Sequence, residues 1–209
     1  DSNENEQPVH KVGITKAFLL QRTEVTRGQW RAVMGTNPIQ FSSCGDSCPV
    51  DYVSWDAIQV FLTKLNQANP GANYRLPTEA EWEYTCRATS TTAFCNGPIT
   101  NTICSDPLLD LVGWYCTTAT HNGGLKLANN WDLHDMHGNL WEWGWDWYGG
   151  VYGSGPVTDP TGPPNPTVGP LRILRGGAWD ATFGARYCRS AYRYFGEPGY
   201  AGQWVGLRV

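Results

Sequence analysis

The chain of 209 residues carries 15 Lys and Arg against 19 Asp and Glu, and only 16% of it is charged, so no large electropositive surface for nucleic-acid phosphates is expected. Its 24 Gly, 14 Pro and 11 Trp describe a turn-rich body held by aromatic packing in place of long helices, and the length suits one domain with a sizeable core. No apolar run approaches membrane-spanning length, so no transmembrane segment is expected in this chain.

The opening Asp-Ser-Asn-Glu-Asn-Glu-Gln reads as a polar N-terminal tail, residues 1–8, ahead of a single domain at 9–209, with disorder confined to the first few residues. A start of this kind resembles a trimmed mature end, which gives the expectation of a lipid anchor upstream of Asp1; an arbitrary boundary has the same appearance. Val9 to Arg22 alternates loosely and predicts a strand pair with a tight turn near Lys16. Thr26 predicts an N-cap, behind which Trp30, Val33 and Met34 share a helical face until Gly35 stops it. Ser54 caps a second predicted helix, with Ile58, Phe61, Leu62 and Leu65 as its apolar stripe and Asn69, Pro70 and Gly71 as its end. Thr78 and Glu81 form a capping box that begins a third.

From Thr89 to Asn130 the irregular apolar spacing argues for long loops pinned by packing or disulfides. Seven Cys is an odd number, with a close pair at Cys44 and Cys48, a looser set at Cys86, Cys95, Cys104 and Cys116, and Cys188 apart. Disulfides and a zinc site compete for them, and zinc lacks a second pair or a nearby His. Short strands are predicted near Leu140–Trp147, Ile173–Trp179, Cys188–Arg193 and Val205–Val209, with Gly149–Pro170 as a surface excursion. Trp141, Trp143, Trp145 and Trp147 alternate and are expected to share one core-facing side. His134 and His137 flank Asp135 at a predicted tight turn, as solvated or hydrogen-bonded loop residues.

Six segments in order carry a family resemblance: Arg-Thr-Glu-Val-Thr-Arg-Gly-Gln-Trp (22–30), Pro-Val-Asp-Tyr-Val-Ser-Trp-Asp-Ala (49–57), Tyr-Arg-Leu-Pro-Thr-Glu-Ala-Glu-Trp-Glu-Tyr (74–84), Asp-Met-His-Gly-Asn-Leu-Trp-Glu-Trp (135–143), Leu-Arg-Gly-Gly-Ala-Trp (174–179) and Val-Gly-Leu-Arg-Val (205–209). Together they closely resemble the formylglycine-generating enzyme, or sulfatase-modifying factor, domain over nearly the whole chain. The resemblance implies an α+β, C-type-lectin-like single domain: two to three helices around a small twisted antiparallel sheet, with much irregular loop.

The aerobic enzyme of that family uses a cysteine pair with copper after Arg-Gly-Gly, because oxidation of a substrate thiol needs soft thiolate ligands. Aligned without gaps between Arg-Gly-Gly and Arg193, those two positions fall on Ala181 and Arg186. Cys188 is the one thiol in the segment and reads as a small buried residue, so no catalytic residue and no catalytic cofactor is expected. The iron-dependent sulfoxide synthases of this fold take His ligands from a helical bundle that has no counterpart here. By resemblance to a calcium site of the family, the Asp135 side chain, the Gly138 and Leu140 carbonyls and the Glu142 carboxylate could converge on a structural calcium, the alternative being that Glu142 caps backbone amides.

The segment 172–209 sets Tyr, Phe, Gly and Ala within a frame of Arg, Gly and Trp, the composition of recognition loops, where rigid aromatic area comes at low entropy cost. It resembles the variable proteins of diversity-generating retroelements, in which Asn codons of the last segment are rewritten at their adenines while the frame remains. Asp180, Thr182, Tyr187, Tyr192, Tyr194, Phe195, Gly196, Tyr200, Ala201 and Gly202 all lie within the set such rewriting can reach, and Phe183 joins them as an aromatic filler. The implied function is a non-enzymatic display protein, extracytoplasmic and at the cell surface, that binds a protein or glycan ligand through this Tyr-rich face. The competing reading is a sulfatase-maturation-type enzyme or its inactive relative.

Overall fold

A computed structural model describes residues 3–38 and 45–209. The three predicted helices form where their caps place them. Thr26 accepts from the Gln29 N–H to start α1 (Arg27–Met34), and Gly35 at φ 86° ends it. Ser54 accepts from the Ala57 N–H to start α2 (Trp55–Ala68), which buries Ile58, Phe61 and Leu62. The Thr78–Glu81 box starts α3 (Glu79–Arg87). Two single-turn helices, α4 (Leu109–Val112) and α5 (Gly184–Tyr187), lie in stretches where no helix was expected.

The sheet that organises the domain is built on β4 (Trp141–Trp147), paired antiparallel with β6 (Arg172–Arg175) and parallel with β8 (Val205–Gly206). β7 (Tyr194–Gly196) adds antiparallel to β6, giving the order β7-β6-β4-β8, so two of its pairings have the expected sense and one does not. Two-residue pairs complete the ladders: β1 (Val12–Gly13) with β5 (Val157–Thr158), and β2 (Gly113–Trp114) with β3 (His137–Gly138), both parallel. The main core lies between α1, α2 and the sheet, around Trp30, Phe61, Trp141, Trp143 and Leu174. Trp30 and Phe61 stack with centroids 4.8 Å apart.

Several expectations are corrected. Val9–Arg22 makes no hairpin: Val12 pairs across to Val157, and Asp159 takes both the Thr15 N–H and its hydroxyl, so the partner comes from the Pro- and Gly-rich excursion. The strand expected over Ile173–Trp179 stops at Arg175, because Gly176 and Gly177 turn the chain at φ 98° and 84°. A Cβ at Gly177 would sit 2.5 Å from Cys188 Sγ, so the close approach also requires glycine. No strand forms over Cys188–Arg193, where the Tyr192 N–H turns back onto the Arg189 carbonyl; the strand starts at Tyr194. The tryptophans of β4 divide: a register shift between Trp143 and Trp147 leaves Trp141 and Trp143 buried while Trp145 is 40% exposed.

The N-terminal residues from Asn3 onward lie on the domain. Glu6 is buried in a two-pronged ion pair with Arg189, at 2.6 and 2.8 Å, and the Asn5 carbonyl accepts from Arg193 at 2.7 Å. Cys104 and Cys116 are joined in a disulfide, whereas Cys86, Cys95 and Cys188 are free thiols. Cys44, half of the close pair, lies outside the described residues. His137 is buried rather than solvated: its Nδ1 lies 2.8 Å from the Cys188 carbonyl and its Nε2 accepts from the Cys95 N–H at 3.0 Å.

Candidate binding surface

After the two glycines the chain reaches Trp179, only 8% exposed, whose indole N–H donates to the Gln203 carbonyl at 3.2 Å. Asp180 then caps a single 3-10 turn, Ala181–Phe183, by accepting from the Thr182 N–H at 2.8 Å, and hydrogen bonds from Thr182, its side chain first and this N–H second, hold the carboxyl below the usual range. α5 follows at once. Its Ala185 and Arg186 amides donate to the Ile103 and Thr102 carbonyls, so the loop closed by the Cys104–Cys116 disulfide braces it from the side.

The aromatic side chains of this segment meet in one continuous patch. Phe183 packs edge-on to Trp141 at 5.7 Å, Trp204 at 5.6 Å and Tyr187 at 5.8 Å. Tyr187 and Tyr192 are 4.8 Å apart, Tyr194 stacks on Trp141 at 5.0 Å, and Phe195 lies 4.5 Å from Tyr148. Tyr194, Phe195 and Tyr200 are 36%, 38% and 42% exposed, while Phe183, Tyr187 and Tyr192 are half-buried against the core. Burial, with Tyr187 beside it, pushes the Tyr192 phenol up to about 12. Thr182 and Ala201 are exposed at the margin.

The two glycines among the expected ligand residues serve the backbone. A Cβ at Gly196 would lie 2.9 Å from the fully buried Trp143 ring, and one at Gly202 would lie 2.3 Å from the Tyr200 hydroxyl. Sequence reasoning also missed members of the patch. Tyr52, 36% exposed, arrives from the loop before α2 and is tied in by its N–H to the Gly202 carbonyl at 3.0 Å. Arg186, which fills an expected cysteine position, sets its guanidinium 4.6 Å from the Tyr187 ring centroid. Arg186 was legible as a reachable neighbour of Tyr187; Tyr52, distant in sequence, carried no local signal.

Beneath the patch three arginines grip the backbone. Arg175, fully buried, donates to the carbonyls of Ser190, Ala191 and Tyr192 at 2.8, 2.9 and 2.5 Å and pairs with Glu83. Arg189 donates to the Arg186 carbonyl at 3.0 Å, and Arg193 pairs with buried Glu79 while binding the Asn5 and Gly150 carbonyls. The arginines beside it hold the Glu79 carboxyl below its ordinary range against the opposing effect of burial. Charge-assisted bonds of this kind are about twice as strong as neutral ones.

Of the residues expected to hold calcium, Glu142 is the one most fully committed within the protein. Glu142 accepts from Arg208 Nη2 at 2.8 Å and from the Trp82 indole N–H at 2.7 Å, so a cation there would have to displace a buried guanidinium. Asp135 Oδ2 accepts from the Gly124 N–H at 2.7 Å, its Oδ1 has no partner, and burial raises its carboxyl pKa. Among the described residues no group of three or more His, Cys, Asp or Glu is arranged to hold a metal.

Comparison with known proteins places this geometry. The sulfatase-modifying factor enzyme 1-like domain matches residues 1–209. The solved structure of Treponema denticola variable protein 1 superposes with a TM-score of 0.85 at 27% identity, over 100% of this chain and 88% of that one, and the fold is C-type-lectin-like. The formylglycine-generating enzyme of Streptomyces coelicolor is 31% identical over 149 residues, 63% of this chain and 42% of the enzyme. A Chlamydia pneumoniae protein named serine/threonine-protein kinase pkn1 is 33% identical over 134 residues, 64% of this chain. The chain spans only 20% of that kinase's length. No helix among the described residues is long and apolar enough to cross a membrane.

Proposed function

The chain belongs to the sulfatase-modifying factor enzyme 1-like family, and within it we propose a non-enzymatic display protein of the cell surface that binds a protein or glycan ligand through the Tyr-rich face of its segment 172–209. The observation that carries this reading is the division of labour in that segment. Arg175, Arg189 and Arg193 hold it through backbone carbonyls, which every residue type supplies, while Tyr187, Tyr194, Phe195 and Tyr200 put ring area outward. A surface held in this way can change its side chains without losing its shape, as diversification by a retroelement would demand. The likeness to a variable protein supports the same reading.

Two of the three free thiols among the described residues argue against oxidative catalysis. Cys188 and Cys86 are fully buried, and burial pushes the Cys188 thiol far up and Cys86 to about 12, so neither offers a thiolate to a metal or substrate near neutral pH. Ala181 and Arg186, at the positions where the enzyme's cysteines would align, supply no sulfur. The test is incubation with copper and a peptide bearing the sulfatase motif, followed by mass spectrometry of its cysteine. Unchanged peptide is expected, and turnover to the aldehyde would overturn the display reading.

A further inference from the structure

We propose that Arg186 is the anchor of the face, and that its ligand is a protein epitope presenting one Asp or Glu carboxylate beside an apolar side chain. This rests on the ligand-binding reading above and names its chemistry. Among the described residues every arginine outside Arg172 and Arg186 forms an ion pair with a carboxylate. Arg172 is buried between the rings of Trp55 at 3.8 Å and Trp147 at 3.4 Å, which accounts for it. Arg186 is exposed, and its guanidinium rests against the Tyr187 ring and donates from Nη2 to the Tyr187 hydroxyl at 2.6 Å.

A guanidinium carries five N–H donors, so with one given to the Tyr187 hydroxyl others remain to take a carboxylate in a fork. The contact with Tyr187 also restrains the arginine before binding, so less side-chain entropy is lost when a ligand is taken. Tyr187 and Tyr192 pack 4.8 Å apart, and a charge pair formed against their rings would be worth more than one in open water. Arg186 is close enough to lower the Tyr192 phenol against the larger effects that raise it.

The charge count selects a single carboxylate over a phosphate or a sulfated glycan. Residues 180–204 also carry Asp180 and Glu197, and no other exposed Lys or Arg accompanies Arg186 there. A dianion or polyanion would meet one cation and two carboxylates, whereas one carboxylate is matched by one guanidinium. Tyr, Trp and Arg are the residue types that dominate protein–protein hot spots, and the segment's lone side-chain amide, Gln203, leaves it poor in the polar forks that sugars use.

The experiment pans a random-peptide library displayed on phage against the folded protein. Wild type should select peptides sharing an Asp or Glu next to an apolar residue. Exchanging that acid for its amide in a synthetic peptide should weaken binding about tenfold, the loss of one charged hydrogen-bond pair. Arg186→Ala, checked for an unchanged melt, should bind acid and amide forms alike, with Arg186→Lys between. Selected peptides without a shared acid, an Arg186→Ala protein that still prefers the acid, or failure to select any peptide would each overturn the proposal. If acid-independent peptides, or a sulfated glycan, bind wild type and are lost when Tyr187 and Tyr194 become Ala, Arg186 is wrong and the Tyr-rich face stands. Ligands that survive those Tyr changes sink both.

Discussion

Asp146 offers a direct test of what burying a carboxylate costs this fold. It sits on β4 with 2% of its surface exposed, and its Oδ2 accepts the Glu79 N–H at 2.5 Å as α3 begins. Gly162 closes over it so tightly that a Cβ there would lie 2.7 Å from the Asp146 Cβ. Burial first, and then the nearby Glu79 charge, raise its pKa from 3.8 to about 7. In the unfolded chain the group titrates near 4, so between about pH 4 and 7 the folded protein holds a proton that the unfolded chain has released. The sign follows: this group's penalty is absent below pH 4, grows as pH rises through that window, and is complete above 7. Three pH units at 1.36 kcal/mol each make it about 4 kcal/mol at most. Asp146→Asn keeps a carbonyl to accept the Glu79 N–H and removes the charge. Urea unfolding followed by tryptophan fluorescence should therefore find the variant and wild type similar near pH 4 and the variant more stable by about 3 kcal/mol at pH 8. Taking the difference between the two proteins cancels the other titrating groups. A difference that does not change with pH, or a variant less stable at pH 8, would refute the burial argument.

Trp179→Ala should cost about 3 to 5 kcal/mol, because the indole is nearly buried and its N–H bond to Gln203 is lost with it. Replacing Tyr187, Tyr192 and Tyr194 together should abolish ligand binding and cost less stability than Trp179→Ala; a triple variant that melts far below it would mean frame and face are assigned backwards. Arg193→Met leaves buried Glu79 with Arg175, at 3.9 Å, as its one remaining cationic partner and should cost about 3 to 5 kcal/mol. The same variant frees the Asn5 carbonyl, so hydrogen exchange over residues 3–7 should rise well above that of the remaining surface.

Where local chemistry decides structure, the sequence was readable. Thr26, Ser54 and Thr78 cap their helices through the N–H three residues on, and nothing distant was needed to see it. The sheet was readable only in part, since a strand's partner is a tertiary fact. Val12 is matched to Val157 far along the chain, and no pattern between them announces the pairing. The Trp alternation of β4 gave the right strand and the wrong faces, because the register shift that turns Trp145 outward leaves no mark in composition. In the face itself the aromatic fillers were visible as composition, whereas the roles of Gly196 and Gly202 depend on Trp143 and Tyr200 approaching from outside the local segment or from across a turn. The N-terminal polar residues looked like a tether because their charges have no local partner; Arg189 and Arg193 supply it from the far end of the chain.

The frame and the face separate residue by residue, and that separation makes its own prediction. Arg175, Arg189 and Arg193 bind carbonyls and buried carboxylates, so their contribution is indifferent to the side chains at Tyr187, Ala191 and Tyr192. Thr182, Tyr194, Tyr200 and Ala201 are exposed enough that exchange should move stability by about 1 kcal/mol or less apiece, apart from the ring stacking lost at Tyr194. Gly196 lies among the positions expected to vary, yet the buried Trp143 ring stands 2.9 Å from where its Cβ would be and has no room to retreat. At Gly202, where φ is not in the left-handed region, the obstacle is the Tyr200 hydroxyl, the free end of a partly exposed side chain that can swing away. A library randomised at Thr182, Tyr194, Gly196, Tyr200, Ala201 and Gly202, sorted for protease resistance on a cell surface, should therefore keep glycine at 196 while the other five positions diversify. If position 196 varies as freely as 201, the backbone of β7 is looser than the Trp143 contact requires, and the claim that this face is carried by a rigid frame fails with it.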